Sequence, residues 1–291
     1  MRTSTVELLL AAQTELGECP VWDDARGALF FMDILGKKLH CLDWTTRADT
    51  VFDLPALGGG LAAAKDGRLI AGLQTGIHMV DPDRGTFEFL LDPEPGKPDH
   101  RLNEAKCDPQ GRFWVGSMST LGRFPTGCLY KLENNGSVAK VLTEISVPNT
   151  MAWLPGGHEM LFADSVRKEV WKFRYDPESG NLSGRQLYLD VGDYAGIPDG
   201  VAIDAEGYAW IAEFGGGAVR RYSPSGKLVR EVRLPATQVT SCAFVGARLD
   251  QLAIITSKRL LNEEQRQAQS HAGDLFLIEV ETPGLEPHKF G

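Results

Sequence analysis

Asp199 stands between Pro198 and Gly200, just ahead of the strand-like run Val201-Ala202-Ile203 and the turn Asp204-Ala205-Glu206-Gly207. A carboxylate set between a rigid and a permissive residue is an odd choice for a solvated surface acid. Other polar residues hold comparable places ahead of turns. Glu18 precedes Asp24 by six residues, Asn103 precedes Asp108 by five, Asn149 precedes Gly156 by seven, and Asp199 precedes Asp204 by five. Oxygen donors from Glu, Asp and Asn suit a hard divalent cation, and two carboxylates gathered without one repel until one takes up a proton. Pro20, Pro148 and Pro198 lie close to three of the four and restrict their backbones. A single Asn or Asp before a strand ordinarily caps a turn. Four at one repeat position point to a cation site instead. Ca²⁺, Mg²⁺, Mn²⁺, Fe²⁺ and Zn²⁺ all suit such donors, with water completing the shell.

Positioning these residues requires a repeated element. Short strand-like segments alternate with turns throughout the chain. The turn markers Asp24, Asp66, Asp108, Gly156 and Asp204 lie 42, 42, 48 and 48 residues apart, and a sixth falls near Gly246. A period of this length with four strands per unit is the signature of a β-propeller. Six units use all 291 residues, so the expected architecture is an all-β, six-bladed β-propeller forming a single domain over residues 1–291. Residues 6–10 form one strand too many and are expected to pair with the last blade, closing the ring. The first strand of each blade lines the central channel, so Glu18, Asn103, Asn149 and Asp199 converge on one mouth. The second unit offers Gly58-Gly59-Gly60 at this place, and the sixth offers Thr240-Ser241. The one helix-like run is residues 262–269, in a long loop of the last blade.

The formal charge of −9 argues against nucleic acid or an anionic membrane surface as partner. No run approaches the ~18 apolar residues of a membrane span, and the first residues lack an apolar signal core, so a cytoplasmic protein is expected. Five cysteines without a C-x-x-C pair read as reduced core thiols. Cys19 adjoins Glu18, but no histidine lies near it in sequence to make it a nucleophile. His40, His78, His158, His271 and His288 fall in outer strands, turns or tails, and His100 is the one histidine that could approach the pocket.

Several motifs together resemble those of the senescence-marker-protein/gluconolactonase/luciferin-regenerating family. They are Gly17-Glu18-Cys19-Pro20-Val21-Trp22, Arg101-x-Asn103-Glu104, Cys107-Asp108-Pro109-x-Gly111-Arg112-Phe113-Trp114-Val115-Gly116-Ser117-Met118, Pro198-Asp199-Gly200 with Asp204-x-Glu206-Gly207, and Ala272-Gly273-x-Leu275-Phe276. The resemblance keeps motif order over nearly the whole chain. It implies a six-bladed propeller, one divalent metal held by Glu18, Asn149 and Asp199, and hydrolysis of a lactone whose hydroxyls meet Arg101 and Asn103. The chain departs from the family pattern with Thr150 where Gly is usual and Glu104-Ala105 where Asp-Gly is usual. The loop 119–126 matches nothing in the pattern.

The expected activity is metal-dependent hydrolysis of a sugar (aldono-) lactone to the aldonic acid. A cation polarises the ester, and Asp199 serves as general base while also contributing a ligand oxygen. Arg101 donates in a fork and Asn103 both donates and accepts, which suits a polyol. The plainer reading of Arg101 is a surface ion pair with Glu104 or Asp99. Rival functions are a metal-binding regulatory protein, for which Arg101 and Asn103 have no use, and a broader esterase or phosphotriesterase on the same metal. A protein-interaction propeller would need an exposed apolar patch.

Overall fold

The computed structural model describes residues 5–291. Twenty-four strands form six antiparallel four-stranded sheets arranged as the blades of a propeller. Blades 1 to 5 each take four consecutive strands, and their innermost strands are Gly17–Asp23, Leu61–Ala63, His100–Cys107, Pro148–Trp153 and Ile197–Ile203. Blade 6 has Val239–Val245 innermost, then Gln251–Thr256 and Leu275–Glu279. Its outer strand comes from the other end of the chain. Glu7–Leu10 pairs antiparallel with Leu275–Glu279, so the expected closure of the ring is present.

Each inner strand packs against the next, and that of blade 6 returns to that of blade 1. The alternating apolar residues supply one buried cluster per interface. Phe30 and Met32 of blade 1 meet Leu61 and Leu69 of blade 2, and Trp114 of blade 3 meets Trp153 and Phe162 of blade 4. Trp22 and Phe31 of blade 1 meet Ile255 and Leu275 of blade 6, which completes the circle. The repeat turns carry structural aspartates. Asp108 and Asp204 each accept the indole N–H of a tryptophan six residues on, at 2.9 Å from Trp114 and 3.0 Å from Trp210. Blade 4 turns at Leu154 and blade 2 at Ala64, two residues ahead of the Gly156 and Asp66 markers, as the bonds from Gly157 and Gly67 N–H show. Counted from these turns, Gly59, Asn103, Asn149 and Asp199 all stand five residues ahead.

On the face opposite the candidate site, the last residues cross the ring. Ala205 N–H donates to Pro283 O and Leu285 N–H to Ile203 O, tying the segment to blade 5. Farther on, Phe290 N–H donates to Ala63 O of blade 2, and Gly291 N–H to Gly111 O of blade 3. Residues 285–288 form one wall of a cavity of about 120 Å³ whose other walls come from the inner strands of all six blades. The helix in the long loop of blade 6 is Glu263–Ala268, opened by a reciprocal Asn262–Gln265 capping box. Among the described residues, no helix is long and apolar enough to cross a membrane.

Candidate functional site

The inner strands are irregular where the polar residues sit. In blade 1 the three steps from Glu18 to Val21 oppose the two from Met32 to Phe30, and Asn149 to Ala152 opposes Ala163 to Leu161 in the same way. Leu102 to Ala105 and Pro198 to Val201 likewise carry one extra residue against their partners. Such a bulge bends the strand and re-aims a side chain. Here four bulges turn Glu18, Asn103, Asn149 and Asp199 toward the axis.

The bulges differ in kind. Glu18 and Asn149 are each followed by a left-handed residue, Cys19 at φ 52° and Thr150 at φ 51°. Left-handed backbone in a β-branched residue is strained, which explains why Gly is the usual choice at the second position. Thr150 uses its hydroxyl in return, donating to Asp199 O at 2.6 Å and tying blade 4 to the backbone of the acid in blade 5. Neighbouring blades also leave no room for larger residues. A Cβ on Gly200 would lie 2.0 Å from Ser241 Oγ, and one on Gly60 would lie 2.1 Å from Ala105 Cβ. Blade 2 therefore reaches the mouth with bare backbone.

Glu18, Arg101, Asn103, Asn149 and Asp199 all line one cavity of about 250 Å³. All five are buried. A chain of hydrogen bonds runs through three of them, Arg101, Asn103 and Asn149. Arg101 Nη1 donates to Asn103 Oδ1 at 2.7 Å, and Asn103 Nδ2 donates to Asn149 Oδ1 at 3.1 Å and to Pro148 O at 2.9 Å. Asn149 Nδ2 donates to Ser165 Oγ at 2.9 Å, whose proton goes to Pro198 O at 2.6 Å. Three blades are thereby registered to one another. Arg101 makes no ion pair with Glu104 or Asp99; its guanidinium also donates to Leu102 O at 2.9 Å.

The electrostatics suit a bound cation. Burial, and then the neighbouring Glu104, push the Glu18 carboxyl up to about 8. Burial followed by the Glu18 and Glu104 charges lifts Asp199 well above the ordinary carboxylate range. Asp199 Oδ1 has no hydrogen-bond partner although it is buried. Two desolvated carboxylates, one with an orphaned oxygen, and an amide in one cavity are donors that a divalent cation satisfies. The residues present fit such a group.

Other residues resolve the remaining expectations. Glu104 is buried below the mouth, where desolvation raises its pKa and Lys106, 3.7 Å away, opposes the rise. Its Oε2 lies 4.0 Å from Cys19 Sγ. Burial first, then Glu104 and Glu18, push the Cys19 thiol far up, which is the reverse of an activated nucleophile. His100 does not line the cavity; its ring bonds Glu94 Oε2 at 2.7 Å and Thr126 Oγ1 at 3.1 Å. Ser119 to Arg123, Phe214 and Arg259 line the cavity without having been singled out in the sequence. The loop 119–126 had no motif to mark it, and Arg259 belongs to blade 6, whose strand start carries no charge to count from.

Comparison with known proteins gives the family and repeats the fold. The profile of the SMP-30/gluconolactonase/LRE-like region matches residues 16–258. A Bacillus subtilis (strain 168) protein, provisionally named a sugar lactone lactonase, is 33% identical over 288 residues, covering 98% of this chain and 99% of its own. Xenopus laevis regucalcin is 29% identical over 297 residues, with 100% and 99% coverage. The crystal structure of Agrobacterium tumefaciens regucalcin, at 27% identity, superposes with a TM-score of 0.95 over 99% of this chain and 98% of that one. The motifs, the fold and the profile coincide, and the chain belongs to the SMP-30/gluconolactonase/LRE-like family.

Proposed function

We propose that the protein hydrolyses a sugar lactone to the aldonic acid at the cavity lined by Glu18, Arg101, Asn103, Asn149 and Asp199. The observation that carries this reading is Asp199 Oδ1, a buried carboxylate oxygen without a partner beside two polyol-type donors. Relatives named as sugar lactone lactonases support it, and the Agrobacterium regucalcin is described as a calcium-binding protein. A divalent cation held by Glu18, Asn149 and Asp199 would polarise the lactone carbonyl, lower the pKa of a water and keep both carboxylates ionised.

This chain's residues supply the rest. Asp199 takes a proton from the attacking water at one carboxylate oxygen, the other being the one that would face the cation, as the water oxygen bonds to the carbonyl carbon. The ester C–O bond then breaks, and the ring oxygen leaves with the proton that Asp199 returns. Arg101 and Asn103, fixed to each other at 2.7 Å, hold the ring hydroxyls so that the carbonyl faces the water. A misplacement of about an ångström here would lower the rate on the order of a hundredfold. Cation binding without turnover would leave Arg101 and Asn103 without a task.

Acid release from a panel of aldonolactones, with and without chelator, tests the reading. Asp199→Asn should abolish metal-dependent release while the fold survives; near-normal hydrolysis by that variant removes the general base. Glu18→Gln should weaken the cation, and an unchanged calorimetric titration would take Glu18 out of the site.

A further inference from the structure

The proposed activity leaves part of the cavity wall unexplained. Arg259, in the loop after Gln251–Thr256 of blade 6, lines the cavity together with Arg123 of the loop 119–126 and the buried Arg101. Arg259 is half-buried, and neither its guanidinium nor that of Arg123 makes an ion pair or hydrogen bond among the described residues. Burial, and then the Arg123 charge, disfavour the cationic form of Arg259. Burial, and then the Arg259 charge, lower Arg101 to about 10. Arg259 thus lies close enough to repel both other guanidiniums, while Glu18 and Asp199 draw Arg259 and Arg101 the other way.

Against three guanidiniums stand the two carboxylates of Glu18 and Asp199, because Glu104 faces Lys106. The wall carries a net positive charge even before any cation neutralises the two acids, and a larger one afterwards. Among the described residues, no partner takes up the Arg259 and Arg123 guanidiniums. A neutral polyol does not need it either: hydroxyls both donate and accept, and Asn103 already answers them in kind. Guanidinium donates only, and two more donor-only groups match a ligand group that only accepts.

We propose that the lactone bears an anionic group, a carboxylate or a phosphate away from its ester, which Arg259 and Arg123 receive at the cavity mouth. This deepens the lactonase reading above and rests on it. Carboxylate and phosphate share the acceptor geometry that a guanidinium fork matches.

The test compares kcat/KM, with saturating divalent cation, for gluconolactone, for the same skeleton oxidised to a carboxylate at carbon 6, and for its 6-phosphate. At least one anionic lactone should exceed the neutral one by on the order of tenfold, as expected for one added charge-assisted pair, and the preferred anion identifies the group. Added salt should shrink that ratio. Arg259→Gln should lower the ratio of anionic to neutral kcat/KM by about tenfold, Arg259→Lys by less, and the exposed Arg123→Gln should move it in the same direction. A neutral lactone hydrolysed as well as both anions, or a ratio untouched by Arg259→Gln, overturns the inference while leaving the lactonase reading standing. No turnover of any of the three overturns both.

Discussion

Asp199 and Asp204 lie five residues apart in one hairpin and have opposite circumstances. Asp204 accepts from Trp210, Arg221 and two backbone N–H groups, whereas Asp199 keeps an oxygen with no donor. Counting residues from the turn could single out Asp199, and with it Glu18, Asn103 and Asn149. It could not say which acid would be satisfied, because satisfaction depends on side chains far away in sequence. The raised Glu18 and Asp199 have a consequence for the metal-free protein. Their folded-state pKa values lie above the unfolded ones, so the folded state binds more protons and stability falls as pH rises from about the ordinary carboxylate value through about 8 for Glu18. A divalent cation displaces that proton. Thermal unfolding of chelated protein should show a falling midpoint across this window that saturating cation flattens. Calorimetric metal titrations near neutral pH, in buffers of different ionisation enthalpy, should register proton release. A chelated protein whose midpoint does not fall across this window would contradict the assignment of the two buried acids as the pair that awaits the cation.

At the scale of the element, the bulge is what converts a repeat into a site. The strands themselves were readable from alternation and turns, and so was the helix opened by Asn262. The extra residue in the inner strands of blades 1, 3, 4 and 5 was not, since it depends on the register of the neighbouring strand. The departure at Thr150 acquires a physical reason only in this light. Thr150→Ala keeps the left-handed strain and loses the bond to Asp199 O, whereas Thr150→Gly loses the same bond but relieves the strain. The glycine variant should therefore be the more stable of the two by about 1 kcal/mol, reversing the usual order in a strand. Denaturant unfolding of both variants checks this, and an alanine variant equal to or better than glycine would show that the backbone at 150 is not strained.

For the whole molecule, closure by the first strand was foreseeable because six units left one strand over. Its contribution is testable. Without residues 1–10, Leu275–Glu279 becomes an open edge and Phe31, Ile255 and Leu275 lose the cover of Leu9 and Leu10. The shortened chain should melt lower and scatter light at concentrations where the full chain does not. An unchanged melting curve would mean that the inner interfaces alone hold the ring. The crossing of the opposite face by residues 283–291 had no such signal, since its partners are backbone groups of blades 2, 3, 5 and 6.

That crossing segment covers the channel on the face opposite Asp199. A solute at Asp199 shares its cavity with Arg123 and Arg259. In the proposed reaction an uncharged ester becomes an additional carboxylate, which the guanidiniums would hold more firmly than the lactone. Emptying rather than chemistry should then set the pace, and kcat should fall as an inert viscogen thickens the medium; a kcat indifferent to viscosity would place the slow step back at the ester bond.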